Sequence, residues 1–159
     1  MPERSGAPVE IERKYLLTGL PKLPRPTTVL EIDQGYLPGV NLVERLRRER
    51  HPDGTFRYYR TVKVGSGVER VELEDETDRK TFEHLWLLTD GRRLTKRRYL
   101  VPNGSDTWEI DEFTDRPLHL AELEIAKADA RITMPDWLQA VLVREVTDEK
   151  EYTNRSLAR

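Results

Sequence analysis

Pairs of like-charged residues, each separated by one residue, recur along this chain. Glu10-Ile11-Glu12, Glu72-Leu73-Glu74, Glu109-Ile110-Asp111 and Glu122-Leu123-Glu124 are acidic, whereas Arg45-Leu46-Arg47 and Lys96-Arg97-Arg98 are basic. In a β-strand alternate side chains share a face. Each pair therefore predicts a strand with one charged face and one largely apolar face. Two carboxylates side by side repel, so their placement is costly unless a cation lies between them. In the first pair a lysine, Lys14, continues the same row.

A solvated strand face ordinarily mixes charge signs, because opposite charges across or along strands attract and like charges do not. Here four strands carry acidic pairs and two carry basic pairs, with Lys63 adding a third basic strand. Such segregation has a use if the acidic strands hold divalent cations and the basic strands hold an anion. The charged faces would then point inward, an expensive arrangement unless the interior is wet and the charges compensated. The apolar faces would point outward and need covering.

Strand-like stretches fall at approximately 9–17, 29–37, 42–50, 55–64, 68–76, 93–101, 106–113 and 119–127. Turn residues Pro38-Gly39, Asp53-Gly54, Gly65-Ser66-Gly67 and Asn103-Gly104 separate several of them, and short connections favour antiparallel neighbours. Helical spacing is confined to 78–89 and 136–143, with a last short helix beginning near Thr153; the first two, or a partner subunit, are the expected cover. Pro21, Pro24 and Pro26 make Gly19–Thr28 a loop. The 159 residues fit one domain spanning 1–159. The class is mainly β (α+β), with eight antiparallel strands in a sandwich or a closed barrel.

Composition narrows the function. The chain has 27 basic and 29 acidic side chains, a net charge of −2, which argues against the dominant basic field of a nucleic-acid binder. It has no cysteine, which excludes disulfides, zinc thiolates and cysteine nucleophiles. No apolar run approaches the roughly 20 residues that span a membrane, and the start, Met1-Pro2-Glu3-Arg4-Ser5, is polar; a cytoplasmic protein is expected. Carboxylate oxygens alone favour Mg²⁺ or Mn²⁺ over softer metals. Arginine forks and lysine point charges suit phosphate oxygens. Both around one interior imply a polyphosphate. Lys14 is either a phosphate contact or, if its pKa is lowered, a general base.

The motif Glu10-x-Glu12-x-Lys14, followed by Ile32-Asp33-Gln34-Gly35-Tyr36-Leu37, Arg45-Leu46-Arg47, Thr61-Val62-Lys63, Glu72-Leu73-Glu74, Lys96-Arg97-Arg98, Trp108-Glu109-Ile110-Asp111 and Glu122-Leu123-Glu124, resembles the CYTH superfamily of triphosphate tunnel metalloenzymes. The tail, with Pro135-Asp136-Trp137-Leu138 and Tyr152-x-Asn154-x-x-Leu157-Ala158, resembles its short prokaryotic members. The resemblance covers nearly the whole chain. It implies an eight-stranded antiparallel closed barrel enclosing a charged tunnel. It implies metal ligands among Glu10, Glu12, Glu72, Glu74, Asp111, Glu122 and Glu124, with Glu109 a less secure member, and phosphate binding by Arg45, Arg47, Lys63, Lys96 and Arg98. Lys14 would be the catalytic base or a phosphate contact.

The activity expected from this pattern is metal-dependent hydrolysis of the terminal phosphate of inorganic tripolyphosphate or a related triphosphate. A class IV-type adenylyl cyclase, forming cAMP and pyrophosphate from ATP, is the alternative enzyme. A non-catalytic polyphosphate- or nucleotide-binding module is the alternative of another class. The expected partner is a small-molecule triphosphate, with neither nucleic acid nor membrane, and the resemblance admits a homodimer.

Overall fold

The structure, a computed structural model, describes residues 9–40, 42–65 and 69–159, and only the backbone of residues 9, 10, 65, 69 and 70. The side chain of Glu10, the turn residues Ser66 and Gly67, and the polar start lie outside the described residues.

The chain forms an antiparallel sheet of nine strands with few helices. The strands are β1 (Val9–Leu17), β2 (Thr28–Tyr36), β3 (Val43–Arg50), β4 (Phe56–Gly65), β5 (Glu69–Thr77), β6 (Arg93–Asn103), β7 (Asp106–Phe113), β8 (His119–Glu124) and β9 (Leu142–Glu145). Their order is β5-β4-β3-β2-β6-β7-β8-β1-β9. One edge of β1 pairs with β8 throughout Glu12–Leu17. Its other edge is divided: Val9–Ile11 pair with β5, and Tyr15–Leu17 pair with β9. β5, at one end of the sheet, thus also pairs with β1, the strand beside the other end, over three residues.

Eight of these strands fall close to the eight strand-like stretches of the sequence. The ninth is a correction. The apolar spacing of 136–143 predicts one helix, but helix α2 spans only Asp136–Gln139, and β9 follows at Leu142–Glu145. The free edge of β1 wins this segment: Tyr15 and Leu16 face Glu145 and Arg144 in register. Arg13 adds an ion pair of 2.5 Å to Glu145.

The apolar strand faces are covered as their sequence requires. Tyr15 and Leu17 of β1, Val101 of β6, Trp108 and Ile110 of β7, and Ala121 and Leu123 of β8 form one buried cluster under Leu138 of α2. Helix α1 (Arg79–Trp86) covers another part. Asp78 caps it by accepting from the backbone N–H of Thr81, and Phe82 packs at 5.1 Å from both Tyr58 and Trp86. The turn after α1 presses on β2 at Gly35. A Cβ there would lie 2.8 Å from Cβ and Oγ1 of Thr89 and from Cζ3 of Trp86. Gly35→Ala is therefore expected to destabilise the fold by about 1–3 kcal/mol through overpacking. Urea unfolding measures this, and unchanged stability would contradict the close contact.

The sequence does not announce what the last residues do. Leu94, Phe113 and Leu120 lie on the charged face of β6, β7 and β8, yet they are apolar and buried. Val146, Tyr152, Leu157 and Ala158 complete their cluster. Backbone bonds between Arg93 and Arg159 fasten the tail to β6. The C-terminal segment thus packs against one end of the charged face. Among the described residues no helix is long and apolar enough to cross a membrane.

Candidate active site

Strand alternation brings the predicted charges to one face, and strand order decides which of them meet. The register sets Lys14 of β1 beside Glu122 of β8, and Glu122 beside Glu109 of β7. Asp111 of β7 sits beside Arg98 of β6. On the opposite strands Tyr36, Arg45, Thr61 and Glu74 stand in one row across β2 to β5. Lys63 stands beside Glu72.

Most of this face is buried although it is charged. Lys14, Arg45, Arg47, Lys96, Arg98, Asp111 and Glu122 are all buried, with Lys96 at 1% and Asp111 at 0% exposure. Ions in such places must be paired, because burial alone disfavours them by several kcal/mol each. Asp111 accepts from Lys96 Nζ at 2.7 Å and from Arg98 Nε at 2.7 Å. Arg98 also reaches Glu109 at 3.0 Å and Glu122 at 3.5 Å. Lys14 Nζ contacts Glu122 at 3.3 Å and donates to the carbonyl of Tyr152 at 3.0 Å. Across the sheet, Arg45 contacts Glu74 at 3.3 Å and Glu72 at 3.5 Å. Lys63 contacts Glu72 at 3.7 Å.

The electrostatic consequences differ from group to group. Burial pushes Lys96 down to about 8, against the opposing pull of Asp111. Burial, with Arg47 nearby, lowers Arg45 to about 10. Burial likewise raises Glu109 to about 7, although Arg98 opposes it. Burial would raise Asp111 too, but Arg98 and Lys96 outweigh it and hold the carboxyl below its usual range. At Lys14 burial is overcome by Glu122 and Glu12, so its pKa is raised. That is the opposite of the shift a neutral lysine base needs.

Two acidic residues depart from the buried pattern. Glu74 and Glu124 are exposed, and Glu124 pairs in register with Glu12 at the end of β8. The histidines stand apart from the cluster: His84 bonds its own helix, while His51 and His119 face Glu49 and Glu112.

A cavity of about 360 Å³ opens against Glu12, Lys14, Tyr36, Lys63 and the C-terminal residues Thr147–Lys150 and Tyr152–Arg155. Sequence reasoning gave the C-terminal segment no role here, although its Tyr152-x-Asn154 pattern was the available signal. Asn154 Oδ1 accepts from Lys96 at 3.2 Å. Gln34 is another residue the charge pattern missed. It is fully buried, accepts from Arg47 Nε at 3.0 Å, and donates to the Tyr36 hydroxyl at 2.9 Å.

Among the described residues no three acidic or histidine side chains form a ready-made metal group. The donor chemistry nevertheless fits a hard cation. The buried oxygens Glu72 Oε2 and Glu122 Oε1 accept no hydrogen bond of good geometry, leaving lone pairs available. Their ion-pair contacts with Lys63 and Lys14 are long, 3.7 and 3.3 Å.

No family model matches the chain. It is 37% identical over 157 residues to the inorganic triphosphatase of Nitrosomonas europaea, covering 94% of this chain and 96% of that protein. It is 30% identical over 154 residues to the inorganic triphosphatase of Acetivibrio thermocellus, covering 94% and 93%. The crystal structure of the inorganic triphosphatase NE1496 superimposes with a TM-score of 0.64 at 34% identity, covering 94% of this chain and 93% of that one. The identity to both relatives spans nearly the full length of each. The chain belongs to the inorganic triphosphatase family.

Proposed function

We propose that this protein is a metal-dependent triphosphatase of the CYTH, triphosphate tunnel type, which releases the terminal phosphate of inorganic tripolyphosphate. The observation that carries the reading is the charged face where Lys14, Arg45, Arg47, Lys96 and Arg98 are buried among carboxylates, with Lys14 and Lys63 lining a cavity beside them. The full-length identity to inorganic triphosphatases supports it. The pairing of β1 with β5 supports closure of the sheet into a tunnel around that face.

The basic residues replace phosphate hydration and hold the chain of phosphoryl groups in line for attack. Lys14 acts as a cation on a phosphoryl oxygen, since Glu122 and the Tyr152 carbonyl favour its charged form. Glu10, Glu12, Glu72, Glu74, Asp111, Glu122 and Glu124 are the oxygen donors assigned to Mg²⁺ or Mn²⁺, with Glu72 and Glu122 best supported by their unsatisfied oxygens. Asp111 is engaged by Lys96 and Arg98, so it contributes first by orienting them. A bound divalent ion would polarise the phosphorus–oxygen bonds and lower the pKa of a bound water.

The test is phosphate release from tripolyphosphate with Mg²⁺ or Mn²⁺, with ATP alongside and products identified. Orthophosphate release is expected, abolished in Glu12→Ala. No release by the pure protein, or undiminished release by Glu12→Ala, would sink the proposal. Formation of cAMP from ATP would establish the cyclase instead.

A further inference from the structure

The turn from Tyr152 to Asn154 reaches two lysines on different strands. The Tyr152 carbonyl accepts from Lys14 of β1 at 3.0 Å, and Asn154 Oδ1 accepts from Lys96 of β6 at 3.2 Å. Lys96 is paired with Asp111 at 2.7 Å, so it is an ammonium and can only donate. The oxygen of the Asn154 amide must therefore face Lys96, and its NH₂ group must face away. Among the described residues no acceptor meets that NH₂ group. Asn154 is half-buried and lines the cavity together with Lys14 and Lys63.

The backbone around this amide fixes its position. Asn154 opens helix α3 (Asn154–Leu157), and the cap Thr153 accepts from the backbone N–H of Ser156. Leu157 and Ala158 anchor the other end against Leu94, Phe113 and Leu120, where Arg159 and Arg93 exchange backbone bonds. A neutral amide has a specific use here. It fills one hydrogen-bond position of Lys96 without cancelling any of the charge, whereas Asp111 already cancels part of it. It also brings two N–H donors to a cavity whose lysines, Lys14 and Lys63, each already contact a carboxylate.

We propose that Asn154 is a further substrate-binding residue, which donates an amide hydrogen to a phosphoryl oxygen in the cavity while its own oxygen holds Lys96 in place. The inference rests on the triphosphatase reading and adds to it a neutral donor from the C-terminal segment.

The experiment measures kcat/KM for tripolyphosphate with Mg²⁺ in wild type, Asn154→Ala and Asn154→Asp, with thermal unfolding of each. Asn154→Asp keeps the shape and an oxygen for Lys96, but it loses both donors and sets a negative charge against the substrate. If Asn154 served only to hold Lys96, Asn154→Asp would match wild type and Asn154→Ala would be the worse variant. The proposal requires the reverse order. Asn154→Ala should lose about tenfold to a hundredfold in kcat/KM, the range for a hydrogen bond to a charged group. Asn154→Asp should lose at least about tenfold more, because like charges brought together repel. A loss in Asn154→Asp no larger than that in Asn154→Ala overturns the proposal. Should Asn154→Asp not fold, the side-chain amide itself carries the test. In ¹⁵N-labelled protein its NH₂ resonances are the pair missing from Asn154→Ala. They must move when a non-hydrolysable imido analogue of triphosphate is added to wild type with Mg²⁺. If they stay in place, the proposal is overturned. These outcomes leave wild-type hydrolysis intact. A wild-type protein that releases no phosphate removes the triphosphatase reading, and the Asn154 assignment with it.

Discussion

Asp111→Ala is expected to destabilise the protein by about 3–5 kcal/mol, the usual cost of removing one partner from a buried ion pair. The carboxylate is fully buried and satisfies two cations, with both oxygens engaged. Arg98 would keep Glu109 and Glu122, but Lys96 would keep only neutral partners, the Asn154 oxygen and the Phe113 ring. Lys96 would then be a completely buried ammonium without a counter-ion, and its pKa, already depressed to about 8, should fall further. Urea unfolding at neutral pH measures the loss. A change below about 1 kcal/mol would mean that the cluster contributes little to folding.

The second large effect falls on activity. Glu122→Gln keeps shape but removes the charge shared by Lys14 and Arg98. Under the proposed function the variant should lose about a hundredfold to a thousandfold in phosphate release, the scale for removing one preorganised group from a water-poor site. Glu122 lies between Glu109 and Lys14 in the register, so one substitution disturbs three strands. Steady-state release from tripolyphosphate over a range of metal concentrations gives the measurement. Activity within about tenfold of wild type would exclude Glu122 from the reacting centre.

Much of this arrangement is legible in the sequence because strand alternation is a local property. Arg45 and Arg47, or Lys96 and Arg98, must share a face once they lie in strands, whatever their neighbours are. Which charges meet is not local. Nothing in the Glu109-Ile110-Asp111 stretch says that Asp111 takes both Lys96 and Arg98, since that follows from the β6–β7 register. The division of labour between β5 and β9 along one edge of β1 is equally remote, which is why Leu142 and Val143 read as the end of a helix over 136–143 from spacing alone. Leu94, Phe113 and Leu120 show the same limit. They interrupt the charged rows, and their reason lies in Tyr152 and Leu157, far along the chain. Gln34 and Tyr36 escape a search for charges because their contribution is directional.

The close pairing of acids and bases on the inner face has a further consequence. Under the proposed function, each carboxylate in contact with a cation occupies the place that a phosphoryl oxygen would take, so the free site would hold its own internal competitor. A ligand with one phosphoryl group must break these contacts and can restore only a few. A chain of phosphoryl groups can replace many at once. Under that function, discrimination against orthophosphate and sulfate would come from valency rather than from net attraction.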